Sequence, residues 1–284
     1  MMKRLLALIF TLIITISSMA PPCLAADNKI SLTEEEAAFI KNHPVIKLGV
    51  DPDFVPFEFI DEDGEYKGIA ADYLALISER TGLKFEVVKG LTWPQAYDKA
   101  LAGEIDALPS IGISREREQH FLFSKPYYYF KRVIVTRDTD TGISDLEDLE
   151  GKTVAVQRNS SHHHYLLSYP KINLSLYDSV EAALTAVATG TEEAFVGNLA
   201  TTNYIIRSNG MTNLRFTAFE AEVQQALYFA VRKDLPQLVS IFNKGLDTIS
   251  DEEKNAINKK WINLEAEMDY GPIIRIIAII GALI

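Results

Sequence analysis

Residues 110–129 read SIGISREREQHFLFSKPYYY. A hydrophobic approach, Ala107-Leu108, runs into the small and polar residues Ser110, Gly112 and Ser114. A charged turn follows, Arg115-Glu116-Arg117-Glu118, and then an aromatic close of Phe121, Phe123, Tyr127, Tyr128 and Tyr129. Small residues let backbone N–H groups approach a bound group closely. A guanidinium just beyond them can grip a carboxylate through two parallel, charge-assisted hydrogen bonds. The same run also reads as a solvated charged turn after a strand. The chain on either side decides between the two.

Toward the N-terminus, a capping box of Ser31 or Thr33 with Glu34 to Glu36 opens a helix over 31–44, ended by His43-Pro44. Val45–Val50 alternates as a strand and runs into Asp51–Phe59, where Pro52 and Pro56 bar regular pairing. That stretch reads as a loop at a strand end, where ligands sit in α/β folds. An amphipathic helix follows at Ala70–Thr81, opened by Gly68 and ended by Gly82. Then come a strand at Phe85–Val88, Trp93 with a helix over Pro94–Ala102, and a strand at Ile105–Leu108. The order β, α, β, α, β argues for parallel strands with crossover helices.

Toward the C-terminus, Phe130–Arg137 and Thr153–Gln157 read as strands, and Asn159-Ser160-Ser161 starts a helix with serine at the N-cap. A second set repeats the pattern: strand Ile172–Leu176, helix Ser179–Thr189, strand Glu193–Gly197, helix Asn198–Ser208. After a strand at Leu214–Phe216, the segment Ala226–Arg232 mirrors Val133–Arg137, and helices over Leu235–Ile249 and Ser250–Leu264 close the chain. Two β-α-β halves joined by two strand-like segments describe two α/β lobes, a double-strand hinge and a cleft. Residues 45–132 plus 226–264 form lobe 1 in this reading, and 133–225 form lobe 2.

The chain has 284 residues, and its net charge of −11 argues against a nucleic-acid partner, which demands clustered Lys and Arg. One local arginine can still hold a small anion. Lys3 and Arg4 precede an apolar run to Ile16, and Cys23-Leu24-Ala25 offers a cleavage site, so residues 1–25 read as an export signal. The sole cysteine, Cys23, leaves with that signal, so the exported core holds together without disulfides. At the other end, Tyr270-Gly271-Pro272 breaks the preceding helix. Ile273–Ile284 is apolar except for Arg275. A bilayer takes about 20 residues, so 272–284 reads as the start of a transmembrane segment.

Seven motifs in order carry a resemblance over Val45–Ile262: LGVDPDFVPFEF, GEYKGIAADYLALI, ALAGEIDALPSIGISRERE, FLFSKPYYY, LEDLEGKTVAVQRNSS, EAFVGNLA and YFAVRKDLPQLVSIFNKGLDTISDEEKNAINKKWI. Together they resemble the extracytoplasmic solute-binding proteins of family 3, the polar amino-acid type. The resemblance implies a two-lobed periplasmic-binding-protein fold of type II, each lobe a mixed sheet flanked by helices. The export signal, the NHPVIKLGV opening and the apolar segment about ten residues after KKWI are similar to periplasmic sensor domains of membrane histidine kinases and cyclic-dinucleotide enzymes.

The resemblance also assigns roles. Arg117 matches the arginine that binds a ligand carboxylate, Ser110, Gly112 and Ser114 match contacts beside it, and Asp51 matches a contact to the ligand side chain. Phe54 and Trp93 match apolar walls, with core packing as the rival role. Ser160 and Ser161 match a helix N-terminus on lobe 2 that favours an anion. The family often has aspartate where this chain has Asn198, and that aspartate grips an α-ammonium; it commonly has glycine where this chain has Asn159. Asn198 accepts hydrogen bonds but supplies no charge, and helix capping is its rival role.

No catalytic set stands out, and no cofactor is called for. His162-His163-His164 is no metal site, because adjacent helical side chains point about 100° apart and cannot face one ion. The expected function is extracytoplasmic binding of a small carboxylate-bearing solute, an amino acid or relative, in a periplasmic sensor tethered to the membrane and fused to a kinase or cyclase. The alternatives are the binding component of an amino-acid ABC transporter, partnered by a permease, and a cyclohexadienyl dehydratase-like enzyme.

Overall fold

The computed structural model describes residues 30–219 and 225–262. The export signal expected at 1–25 and the membrane segment expected at 272–284 lie outside the described residues. Among the described residues no helix is long and apolar enough to cross a membrane.

Val45–Leu48 (β1) places Ile46 and Leu48 inward and Val45 and Lys47 outward, the two-residue period of a half-buried strand. It pairs in parallel with Lys84–Val87 (β5) and with Ala107–Ile111 (β6). Gln225–Arg232 (β14) joins β6 antiparallel and carries Phe121–Phe123 (β7) and Tyr128–Phe130 (β8) on its other edge, giving a mixed sheet in the order β5-β1-β6-β14-β7. The second sheet runs β11-β10-β12-β9-β13, formed by Arg132–Arg137 (β9), Thr153–Gln157 (β10), Asn173–Tyr177 (β11), Ala194–Asn198 (β12) and Leu214–Phe219 (β13). There β10 is parallel to β11 and β12, while β9 is antiparallel to β12 and β13. The chain passes from the first sheet to the second between β8 and β9 and returns between β13 and β14. This is the two-lobed, mixed-sheet architecture that the resemblance implies.

Three readings of the sequence need correction. Phe130–Arg137 is not one strand: it divides at Lys131 between the two sheets. Phe121–Phe123, read only as an aromatic run, is a strand. The stretch Asp51–Phe59 is not a plain loop: Asp53–Phe54 (β2) and Glu58–Ile60 (β3) pair antiparallel, with Tyr66–Lys67 (β4) beyond β3. Pro52 and Pro56 fall outside the paired positions, so neither interrupts the ladder.

Helices cover both sheets. They are Glu34–Asn42 (α1), Ile69–Thr81 (α2), Trp93–Leu101 (α3), Ser161–Leu166 (α4), Val180–Ala188 (α5), Leu199–Ser208 (α6), Pro236–Asp247 (α7) and Asp251–Trp261 (α8). Leu238, Ile241, Phe242, Gly245 and Leu246 recur at helical spacing along α7 and are buried in the first lobe's core. A Cβ on Gly245 would lie 2.8 Å from the Ile77 side chain, so α2 and α7 touch where no side chain intervenes.

Thr33 and Glu36 form the capping box of α1. Glu36 also ties α1 to α7, accepting from Ser240 Oγ at 2.7 Å and Lys244 Nζ at 2.6 Å. Burial alone would raise its pKa, but Lys244, the Thr33 N–H and Ser240 outweigh it and hold the carboxyl at about 2. With the folded pKa depressed, this stabilisation is present above about pH 4.5 and is lost as pH falls toward 2. Glu36→Ala is expected to cost about 2 kcal/mol at pH 7. Urea unfolding at pH 7 and pH 2.5 checks this; the gap between parent and variant should shrink at the lower pH.

Candidate functional site

Strand ends from both sheets converge on one inter-lobe cavity. Asp51 follows β1, Phe54 lies in β2, Trp93 begins α3, and Ser110 to Gly112 end β6. From the second lobe come Gln157 at the end of β10, Ser160 to His162 at the start of α4, Asn198 at the end of β12 and Thr201 in α6. Val180, Phe195 and Leu227 supply apolar wall. The volume enclosed is about 40 Å³, room for one or two water molecules. A Cβ on Gly112 would lie 3.1 Å from Ser161 Cβ, so the missing side chain lets the lobes approach there.

Nine of the ten residues singled out in the sequence line this cavity: Asp51, Phe54, Trp93, Ser110, Gly112, Arg117, Ser160, Ser161 and Asn198. Ser114 stands outside the wall, and its hydroxyl accepts the Arg117 N–H at 3.2 Å, bracing the turn instead. Trp93 is both wall and core: it is buried against Tyr97 with its indole Nε1–H unpartnered. Gln157 escaped the sequence reading; the signal was a polar residue ending an otherwise apolar strand, TVAVQ.

Arg117 is not a solvated residue. It is 1% exposed, in a short 3₁₀ turn, with its guanidinium 5.4 Å from the Tyr97 ring. One Nη donates to Gly112 O at 2.7 Å and the other to Asn159 O at 2.5 Å, so it ties lobe to lobe; Nε–H has no partner. Asn159 can offer its carbonyl because it adopts φ 58°, a left-handed conformation that asparagine tolerates better than most residues.

Asp51 also bridges the lobes. Its Oδ2 accepts from Gln157 Nε2 at 2.8 Å and its Oδ1 from Asp53 N–H at 3.1 Å. Behind it, Glu58 accepts from the Asp51 N–H and from the Tyr66 hydroxyl, both at 3.0 Å. Burial raises both carboxyls, Asp51 to about 6 and Glu58 to about 8, and the charge of Asp51 adds to the shift at Glu58. Glu58 is therefore the protonated member of the pair at neutral pH.

The three histidines diverge. His162 is buried and accepts from Arg132 Nε at 3.3 Å, and His163 Nδ1 accepts the Asn159 N–H at 3.3 Å. His164 Nδ1 lies 2.7 Å from Glu116 across the lobes. Burial first, then Arg117 and His163, push His164 down to about 3, so its surroundings disfavour a charged imidazole beside Glu116. Among the described residues no group of three or more His, Cys, Asp or Glu side chains is placed to hold a metal ion.

These shifts set a pH optimum. Glu58, raised from 4.5 to about 8, binds more protons folded than unfolded, so its contribution falls as pH rises toward 8. His162, His163 and His164, all lowered from 6.5, bind fewer protons folded, so their contribution falls as pH drops below 6.5. Stability is expected to peak near pH 6 to 7. Glu58→Gln should flatten the alkaline arm of a Tm-against-pH curve and leave the acid arm in place.

Residues 46–264 match the bacterial extracellular solute-binding proteins, family 3. The virulence sensor protein BvgS of Bordetella bronchiseptica is 31% identical over 227 residues, covering 80% of this chain and 18% of BvgS. The chain thus spans less than a fifth of that relative's length. PatH of Vibrio harveyi, a putative amino-acid ABC transporter-binding protein, is 28% identical, covering 81% of this chain and 93% of PatH. Among solved structures, a histidine kinase sensor domain with similarity to periplasmic binding proteins superposes with TM-score 0.72 at 30% identity, over 78% of this chain and 98% of that one. These relatives are binding and sensor proteins, and their family is extracellular. With its two mixed sheets and the cavity between them, the chain belongs to the bacterial extracellular solute-binding proteins, family 3.

Proposed function

We propose that this chain is the periplasmic sensing domain of a membrane signalling protein and that it holds a small carboxylate-bearing solute between its lobes. The observation that carries the reading is Arg117. A fully buried guanidinium whose two hydrogen bonds go to carbonyl oxygens leaves Nε–H without a partner, a donor for a carboxylate once the lobes part. Ligand entry requires the lobes to part from the closed arrangement, and a solute bridging both lobes favours its return.

The end of α8 supports a signalling role. Trp261 Nε1 donates to Asp72 at 2.7 Å and Lys260 reaches the same carboxylate at 2.8 Å, so the helix is fastened to α2 of the first lobe. Ile262 then borders a groove with Asn198, Leu199 and Ala200 of the second lobe. A shift of the second lobe would change the groove that Ile262 borders. The sensor relatives favour this reading over delivery to a permease. A melting-temperature screen of the chain against small carboxylic acids tests it. Binding should raise Tm, and the Arg117→Ala variant should show no rise. If no carboxylate shifts the parent, or if the variant responds equally, the reading fails.

A further inference from the structure

We propose that residues 264–270 of this chain, which follow α8, dock through one apolar face into the groove that Ile262 borders. The groove encloses about 510 Å³, more than ten times the 40 Å³ of the inter-lobe cavity, so it is sized for side chains rather than single waters. It lies where the chain crosses between lobes. Phe57, Tyr128 and Tyr129 wall it from the first lobe, and Leu199, Ala200 and Asn203 wall it from the second. Lys131, at the break between β8 and β9, stands at the crossing. Tyr129 is 54% exposed, and Tyr204, next to Asn203, is 43% exposed. Exposed aromatic surface gathered at a groove marks an interaction site.

Three observations name the occupant. The first is position. Ile262 lines the groove itself, and Trp261 and Lys260 just before it are fastened to Asp72, so the following residues emerge at the groove's edge. The second is pattern. Residues 264–270 read LEAEMDY: Leu264, Ala266, Met268 and Tyr270 alternate with Glu265, Glu267 and Asp269. Strict alternation belongs to an extended segment with one covered face and one solvated face. The third is charge. The acidic face carries three carboxylates and no cation, and Lys131, exposed, is the one charged side chain among the described residues lining the groove. Seven extended residues reach at most about 25 Å, enough to lie along a groove of this size.

Because the walls come from both lobes, the seat changes shape when the lobes part. That consequence rests on the sensing reading above; the docking itself does not.

Disulfide scanning of the full chain, with Cys23→Ser throughout, tests the proposal. Single cysteines at positions 264 to 268 are each paired with Tyr129→Cys on one wall or Asn203→Cys on the other, and the ligand-free protein is oxidised. Cysteines bridge only when their Cα atoms come within about 7 Å and their side chains point together. Positions 264, 266 and 268 should therefore cross-link to one wall or the other at least about 10-fold faster than positions 265 and 267. The products should be bridges within one chain, read by mass spectrometry after proteolysis. Equal rates at all five positions, or no cross-link at any, would overturn the docking. Bridges between two chains would overturn it too, by making a second copy the occupant. None of these outcomes bears on the carboxylate screen, so the two readings fail separately.

Discussion

Arg117→Met is expected to weaken carboxylate binding by about 100- to 1000-fold while leaving the ligand-free stability within about 1 kcal/mol of the parent. The two halves of this prediction have one cause. Arg117 is buried, and burial lowers its pKa, the sign of a charge held where charge is costly. Its hydrogen bonds to Gly112 O and Asn159 O return part of that cost. Methionine forfeits both bonds but removes the buried cation and fills most of the same volume, so the effects oppose. Ligand binding has no such offset, since methionine has no donor for a carboxylate. Titration calorimetry and thermal unfolding on the same samples check both halves. A variant that lost stability heavily would show that Arg117 serves chiefly as a clasp between lobes. Arg117→Lys should recover little affinity, because an ammonium cannot offer two parallel donors.

Gly68→Ala is expected to destabilise the fold by about 4 kcal/mol, lowering Tm by about 8–16 °C. Gly68 has φ 118° and ψ −178°, a region essentially closed to residues with a Cβ. A Cβ built there lies 2.6 Å from Phe57 O, 2.8 Å from Phe57 C and 2.9 Å from Glu58 Cα. All three are backbone atoms and cannot rotate aside. The close approach exists because the start of α2 donates to the β2–β3 turn: Ile69 N–H to Pro56 O at 3.0 Å and Ala70 N–H to Phe57 O at 2.8 Å. That turn carries Phe54 to the cavity and Glu58 behind Asp51, so ligand affinity should fall along with stability. Gly64, at φ 78° with nothing within 4 Å of its Cβ, is the control; alanine there should cost only about 1 kcal/mol. Equal losses at the two positions would mean that backbone conformation, not contact with Phe57, governs Gly68.

Much of the architecture is legible in local pattern. The alternation of Val45–Leu48, the helical spacing along α7, the Thr33–Glu36 box and the serine before α4 each state their structure within a few residues, because the forces involved act over one turn or one strand. The errors fall where distant chain decides. Phe121–Phe123 is a strand because β14, about a hundred residues later, offers an edge to pair with. The break at Lys131 follows from two sheets claiming the halves of one apolar run. Gln157 became visible only once Asp51 was found 2.8 Å from it.

By itself the sequence determined that this is a chain of two α/β halves with a double crossing, and that Arg117 and its neighbours belong to a cleft. Periodicity, caps and ordered motifs carry that information along the chain. Which atoms face the cleft was settled by tertiary structure alone. Arg117 spends its terminal nitrogens on carbonyls from both lobes, and Ser114 turns back to brace the turn. Asn198 gives its oxygen to the cap of a helix and leaves its nitrogen buried without a partner. Hydrogen-bond direction depends on partners that folding brings together, and no spacing of residue names encodes it.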